Sequence, residues 1–148
     1  MRLTLGCGYA LRALEYLAAR RDGGPATARD IAEARGAPKR FLLRPLKALV
    51  SAGLLRSAPG PGGGYRLGRP AARITLLEVV EAVDGPIHGE VPFAQEGRHG
   101  FDSRLAAVCQ GVADRVRRQL GKVRVSDLVG NKQAQAQAAP SRGRRDER

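Results

Sequence analysis

The sequence predicts a mainly α-helical fold with one small β-hairpin, and three observations carry that expectation. Apolar residues recur at steps of three and four in several stretches, the mark of amphipathic helices. Between two of these stretches, Gly53-Leu54-Leu55-Arg56-Ser57-Ala58-Pro59-Gly60-Pro61-Gly62-Gly63-Gly64-Tyr65-Arg66-Leu67 reads as a short strand, a glycine–proline loop and a return strand. Directly before it lies a basic amphipathic helix, itself preceded by a shorter helix and a glycine-containing turn. Two short helices, a turn and then a hairpin with a flexible tip describe a winged helix-turn-helix, whose second paired helix enters a DNA groove.

The elements follow in order. Tyr9, Leu11, Leu14, Tyr16, Leu17 and Ala18 place a first helix over roughly residues 5–20, ended by Asp22-Gly23-Gly24-Pro25. Thr27 followed by Asp30 is a capping-box-like start for a second helix to about Arg35, where Gly36 stops it. Pro38 suits the first position of a third helix, where a missing amide hydrogen costs nothing. Phe41, Leu42, Leu46, Leu49 and Val50 form its apolar stripe, and Gly53 caps its end. Pro45 inside it removes a backbone hydrogen bond at about 3 kcal/mol unless compensated, so a kink near Phe41–Pro45 is expected.

Thr75 and Glu78 open a fourth helix through Val83, ended by Asp84-Gly85-Pro86. Residues 87–101 lack any period and read as loop. From Asp102 or Ser103 a longer helix carries Leu105, Val108, Val112, Val116 and Leu120 at steps of three and four, better suited to a dimer seam than to its own small domain. Ser126-Asp127-Leu128-Val129 adds one more turn. The plan is a winged helix over 1–86, a loop over 87–101, a dimerisation helix and short C-terminal helix over 102–130, and a tail. That tail, 131–148, has Gln-Ala repeats, an arginine-rich end and too little apolar content to fold, so it is expected to be disordered.

Composition narrows the function. A chain of 148 residues is one domain's worth. It has no apolar run long enough to span a bilayer and no signal peptide, so a cytoplasmic protein is expected. Two cysteines, Cys7 and Cys109, do not make a disulfide framework. The net charge of +12 is segregated: residues 1–74 hold 14 Lys/Arg against 4 Asp/Glu, whereas residues 75–130 hold 7 against 8. One half is therefore suited to a polyanion and the other to a different task. No Ser/His/Asp set or paired-carboxylate site is evident, and Gly60–Gly64 lacks the Lys-Ser/Thr of a nucleotide loop, so no enzyme is expected.

The candidate DNA-reading residues follow from the helical periods. On the third helix, Lys39, Arg40, Arg44 and Lys47 lie off the apolar stripe, and positions 40, 44 and 47 line one edge. Arginine grips guanine through two parallel hydrogen bonds, so Arg40 and Arg44 are assigned to bases, and Lys39 and Lys47 to phosphates. In the wing, Gly62 and Gly63 permit close approach to the DNA backbone, while Arg56 and Arg66 flank the loop within reach of phosphate or minor groove. Arg2, Thr27 and Tyr65 complete the candidate contacts.

The ordered set Met1-Arg2-Leu3-Thr4, Tyr9-Ala10-Leu11-Arg12-Ala13-Leu14, Asp30-Ile31-Ala32-Glu33, Phe41-Leu42, Ala52-Gly53-Leu54, the glycine hairpin, Ile74-Thr75-Leu76 and Glu81-Ala82-Val83-Asp84-Gly85 resembles the bacterial winged-helix regulators of the Rrf-two family. The resemblance covers roughly residues 1–130. It implies a DNA-binding transcription regulator, acting as a homodimer on an inverted-repeat operator and more suited to repression than activation. Several members of that family hold an iron–sulfur cluster through three cysteines after the fourth helix. Here only Cys109 stands there, with Ser103 and Ala106 at the other ligand places and Gly8 at the place of an aspartate ligand, so no cofactor is expected. Two further departures are Pro59, where the family often has a wing arginine, and Leu43, where an acidic base reader can stand.

Other readings stay open. His88, His99 and Cys109 offer a weak alternative metal site, although their spacing matches no compact ligand pattern. Cys7, near the start of the first helix, is a candidate thiol sensor through a lowered pKa, against the plainer reading of a packed core thiol. Control by an unidentified protein or small-molecule effector is compatible with a clusterless member. The rivals for the function are a winged-helix module that docks a protein through its basic face, and a DNA-binding protein without sequence preference.

Overall fold

A computed structural model describes residues 1–92 and 100–130. It has the expected class: six α-helices and one two-stranded antiparallel hairpin among the described residues. Helix α1, Leu5–Ala19, is capped by the Thr4 hydroxyl, which accepts from the Cys7 amide, and it buries Cys7, Ala10, Ala13, Leu14 and Leu17 at helical spacing. Helix α2, Ala28–Arg35, opens on a complete capping box between Thr27 and Asp30. It closes on Gly36 at φ 59°, a left-handed position that suits glycine. Helix α3, Lys39–Ser51, follows two residues later, with Pro38 as its N-cap rather than its first residue.

Leu14, Ile31, Leu42, Leu46 and Leu49 are fully buried where these three helices meet. Each contributes about 1.5–3 kcal/mol by leaving water. Helix α3 runs without interruption across Pro45, so the proline does not end it. Its ring is buried against α1, 3.9 Å from where a Cβ on Gly6 would stand. The carbonyl left without its usual donor belongs to Phe41, four residues earlier.

Strands β1, Leu55–Ala58, and β2, Gly64–Leu67, pair with Leu55 opposite Leu67, Arg56 opposite Arg66 and Ser57 opposite Tyr65. Alternation turns Leu55 into the core and Arg56 to solvent. The hairpin is tied to the helical pair by a short bridge: the Ala26 amide donates to the Tyr65 carbonyl at 2.9 Å, and the Tyr65 amide returns to Ala26 at 2.7 Å.

A 3-10 turn, Ala71–Arg73, leads into α4, Leu76–Asp84, which starts on a second capping box, Thr75 with Glu78. Helix α5, Gly100–Lys122, begins two residues before the expected Asp102. Helix α6, Val125–Leu128, then carries the chain back to the winged helix. The Val125 amide donates to the Ile74 carbonyl and the Leu76 amide to Val123, both at 2.9 Å, and Val125 is buried in the same core as α1–α3. The tail, 131–148, and part of the expected loop lie outside the described residues.

Candidate nucleic-acid interface

Helix α3 sorts its side chains by angle. Leu42, Pro45, Leu46 and Leu49 face the core; at 100° per residue, Arg40, Arg44 and Lys47 project from the opposite side, and all three are exposed. Lys39 is exposed nearer the flank. The acidic residues of this half are engaged elsewhere: Glu15 with Arg35 at 2.6 Å, Glu33 with Arg29 and Asp22 with Arg20 at 2.7 Å. Among the described residues no carboxylate pairs with Arg40, Arg44 or Lys47, so their charge remains for an outside anion.

Arg40 is also held in place. Its guanidinium lies 4.7 Å from the centre of the Phe41 ring, a cation–π contact. That ring is stacked on Tyr9 of α1, with centroids 6.2 Å apart and planes within 2°. Neither aromatic stood among the sequence-derived site residues, because Tyr9 and Phe41 meet only when α1 crosses α3.

In the wing, Arg56 and Arg66 are direct cross-strand partners on the exposed side. Like charges so placed repel, and a phosphate between or beside them relieves the repulsion. The glycines divide into two groups. Gly60 and Gly62 hold positive φ, 83° and 74°, in open space. A Cβ on Gly63 would stand 2.2 Å from the Ala58 carbonyl oxygen, and one on Gly64 (φ 137°) 2.6 Å from the Ala26 backbone. Gly63 therefore serves the loop's own close packing and Gly64 the approach to Ala26, while Gly60 and Gly62 are exposed and free to approach a ligand.

The remaining candidates are scattered. Thr27 is exposed, but its hydroxyl both donates to Asp30 at 2.8 Å and caps the Asp30 amide at 3.1 Å. The Thr27 backbone amide and hydroxyl bonds hold the Asp30 carboxyl below its ordinary range. Half-buried Tyr65 joins the wing to Ala26 through its backbone. Arg2 is exposed beside α1 and borders a cavity of about 720 Å³ between Leu3, Val80, Ile87, Val108 and Val112. On α5, Val108 and Val112 are 64 % and 54 % exposed, Leu105 is exposed, and Val116 and Leu120 are half-buried.

Cys7 is placed as the plainer of its two readings has it: it is fully buried, and burial together with the nearby Asp84 carboxylate pushes its pKa up to about 11, where a thiol sensor would need it lowered. Cys7 is thus a core thiol. Half-buried Cys109 and exposed His88 line the same cavity. His99 lies outside the described residues, and among those described no three His, Cys, Asp or Glu residues gather as a metal site.

A winged helix-turn-helix whose third helix carries an exposed, unpaired cationic face has the form of a DNA-binding transcription regulator. A family model described as "Rrf2: Iron-dependent Transcriptional regulator" matches residues 3–131, and the chain belongs to this family. It is 36 % identical over 134 residues to the HTH-type transcriptional regulator IscR of Xenorhabdus nematophila, covering 90 % of this chain and 82 % of that protein. The IscR of Escherichia coli strain HS is 34 % identical, with 90 % and 83 % covered. Among solved structures, CymR, the global cysteine regulator of B. subtilis, superposes with TM-score 0.69 at 24 % identity, over 87 % of this chain and 96 % of that one. IscR of T. potens gives 0.67 at 24 % identity, over 94 % and 93 %. These two likenesses establish the shared fold. The chain is a transcription regulator and not an enzyme.

The family's description as iron-dependent raises the question of a cluster. The donors do not fit one held within a single chain: there are two cysteines, of which Cys7 is sealed in the core and Cys109 stands alone on α5. No helix among the described residues is long and apolar enough to cross a membrane.

Proposed function

We propose that this regulator is a homodimer without an iron–sulfur cluster that binds an imperfect inverted repeat in double-stranded DNA and represses by occluding a promoter. The observation that carries the reading is the outer face of α3, where Arg40, Arg44 and Lys47 stand exposed, opposite the buried residues and free of carboxylate partners among the described residues. Arg40 and Arg44 read base edges, while Lys39, Lys47, Arg2 and the wing arginines Arg56 and Arg66 neutralise phosphate.

The exposed Val108 and Val112 on α5 support a second copy packing there. In such a dimer the two α3 helices enter successive major grooves about 34 Å apart, which requires an inverted repeat. With no cluster to sense, an effector of another kind, a protein or a small molecule, controls occupancy.

Selection of bound fragments from genomic DNA of the source organism tests the reading, at roughly physiological salt where non-specific binding is weak. Recovery of one inverted repeat near particular promoters is the expected result. Recovery of no common sequence overturns it.

A further inference from the structure

Helix α3 carries one large apolar side chain on its solvent side that packing does not explain. Leu43 is 47 % exposed and stands apart from the core residues Leu42, Pro45, Leu46 and Leu49. At 100° per residue it lies about 40° round the helix from Lys47 and about 60° from Arg40, within the cationic face. Phe41, the other exposed apolar residue of α3, is engaged by Tyr9 and Arg40. Leu43 is absent from the core and from the apolar residues packed around it.

A lone exposed leucine is ordinary on a protein surface. This one stands among the side chains that would enter a major groove, where water is expelled and each group meets a base edge. The edges of guanine, adenine and cytosine offer donors and acceptors there; thymine alone adds an apolar group, its C5-methyl. A leucine against a polar edge leaves that edge desolvated and unpaired, whereas against thymine it buries methyl on methyl.

We propose that Leu43 is a specificity residue that reads a thymine methyl at one fixed position in each operator half-site. The proposal rests on the DNA-binding reading above and adds to it the base that one position selects. The arginines grip acceptor-bearing bases through hydrogen bonds, and Leu43 reads the neighbouring pair by apolar contact. Because the contact involves a single methyl, its loss weakens binding by about fourfold, the factor for exposing one such group.

Selection from random duplex DNA is expected to return a half-site with an invariant thymine, and Leu43→Ala to flatten the preference at that position alone. Replacing this thymine with deoxyuridine, which lacks only the methyl, is expected to weaken the wild-type complex about fourfold. The same replacement is expected to leave the Leu43→Ala complex unchanged. Leu43→Gln, a good helix former of similar length, should likewise be insensitive to the deoxyuridine replacement and serves for that measurement if the alanine variant folds poorly. Equal weakening of wild type and variants, or no weakening at any thymine of the half-site, overturns Leu43 as a methyl reader while the regulator stands. Recovery of no common sequence by the wild-type protein overturns both.

Discussion

Arg44 and Lys47 sit on the same side of α3, yet their chemistry assigns them different tasks. The planar guanidinium of Arg44 matches the two acceptors of guanine, whereas the Lys47 ammonium is a point charge suited to phosphate. Arg44→Ala is therefore expected to weaken operator binding by about 1–3 kcal/mol and to relax the preference at one base pair, read by competition binding against mismatched operators. Lys47→Ala is expected to weaken all sequences alike and to reduce the salt slope by about one. An unchanged base preference in the arginine variant would remove Arg44 from the reading set. Cys7 makes a contrasting case. With its pKa raised to about 11, about one thiol in ten thousand is ionised at pH 7, so alkylation should mark Cys109 first and spare Cys7 in the folded protein. The linkage runs in one direction: the unfolded thiol ionises near 9.0, so its stabilising preference is complete below that pH and is lost as pH rises towards 11. Mass spectrometry after labelling across this range checks it, and rapid Cys7 modification at neutral pH would contradict it.

At the scale of elements, the wing is held beside the segment leading into α2 by close backbone approach. A methyl added at Gly64 would meet the Ala26 carbonyl carbon and oxygen at 2.6 Å, at the bridge that fixes the hairpin beside the helix pair. Gly64→Ala is expected to lower the melting temperature and loosen that bridge, seen as faster exchange of the Tyr65 and Ala26 amides. Gly62→Ala, with positive φ but open space, is expected to cost only about 1–2 kcal/mol of backbone strain. Equal effects of the two would show that packing against Ala26 does not matter. The sequence disclosed the helices and both capping boxes because these depend on neighbours within four residues, and the hairpin because its paired residues lie at most 12 apart around a glycine loop. It could not place the surroundings of Pro45, because the ring packs beside Gly6 of α1, about 40 residues away.

At the scale of the whole molecule, α5 is the element least accounted for by a single chain. Only Ala113 among its 23 residues is buried, while Val108 and Val112 lie open. Val112→Asp is expected to shift the protein to monomer in sedimentation equilibrium, to leave the melting of the winged helix nearly unchanged, and to lower operator affinity steeply by separating the two half-site readers. A variant that remains dimeric would place the seam elsewhere. The purified protein is likewise expected to lack the broad visible absorbance of an iron–sulfur cluster, and a cluster spectrum would mean that more than one chain supplies its ligands.

What the sequence by itself determined is the local grammar: helix starts and stops, the glycine hairpin, the segregated charge and the periodic placing of Arg40, Arg44 and Lys47. What only the tertiary structure decided are the contacts between distant segments. These are the Tyr9–Phe41 stack that steadies Arg40, the burial that raises the Cys7 thiol, the Arg56–Arg66 pairing, and the return of Val125 to Ile74. The physical reason is one of range. Backbone hydrogen bonds and amphipathic periods are written within a few residues, whereas burial and ring stacking exist only once helices far apart in the chain lie against one another.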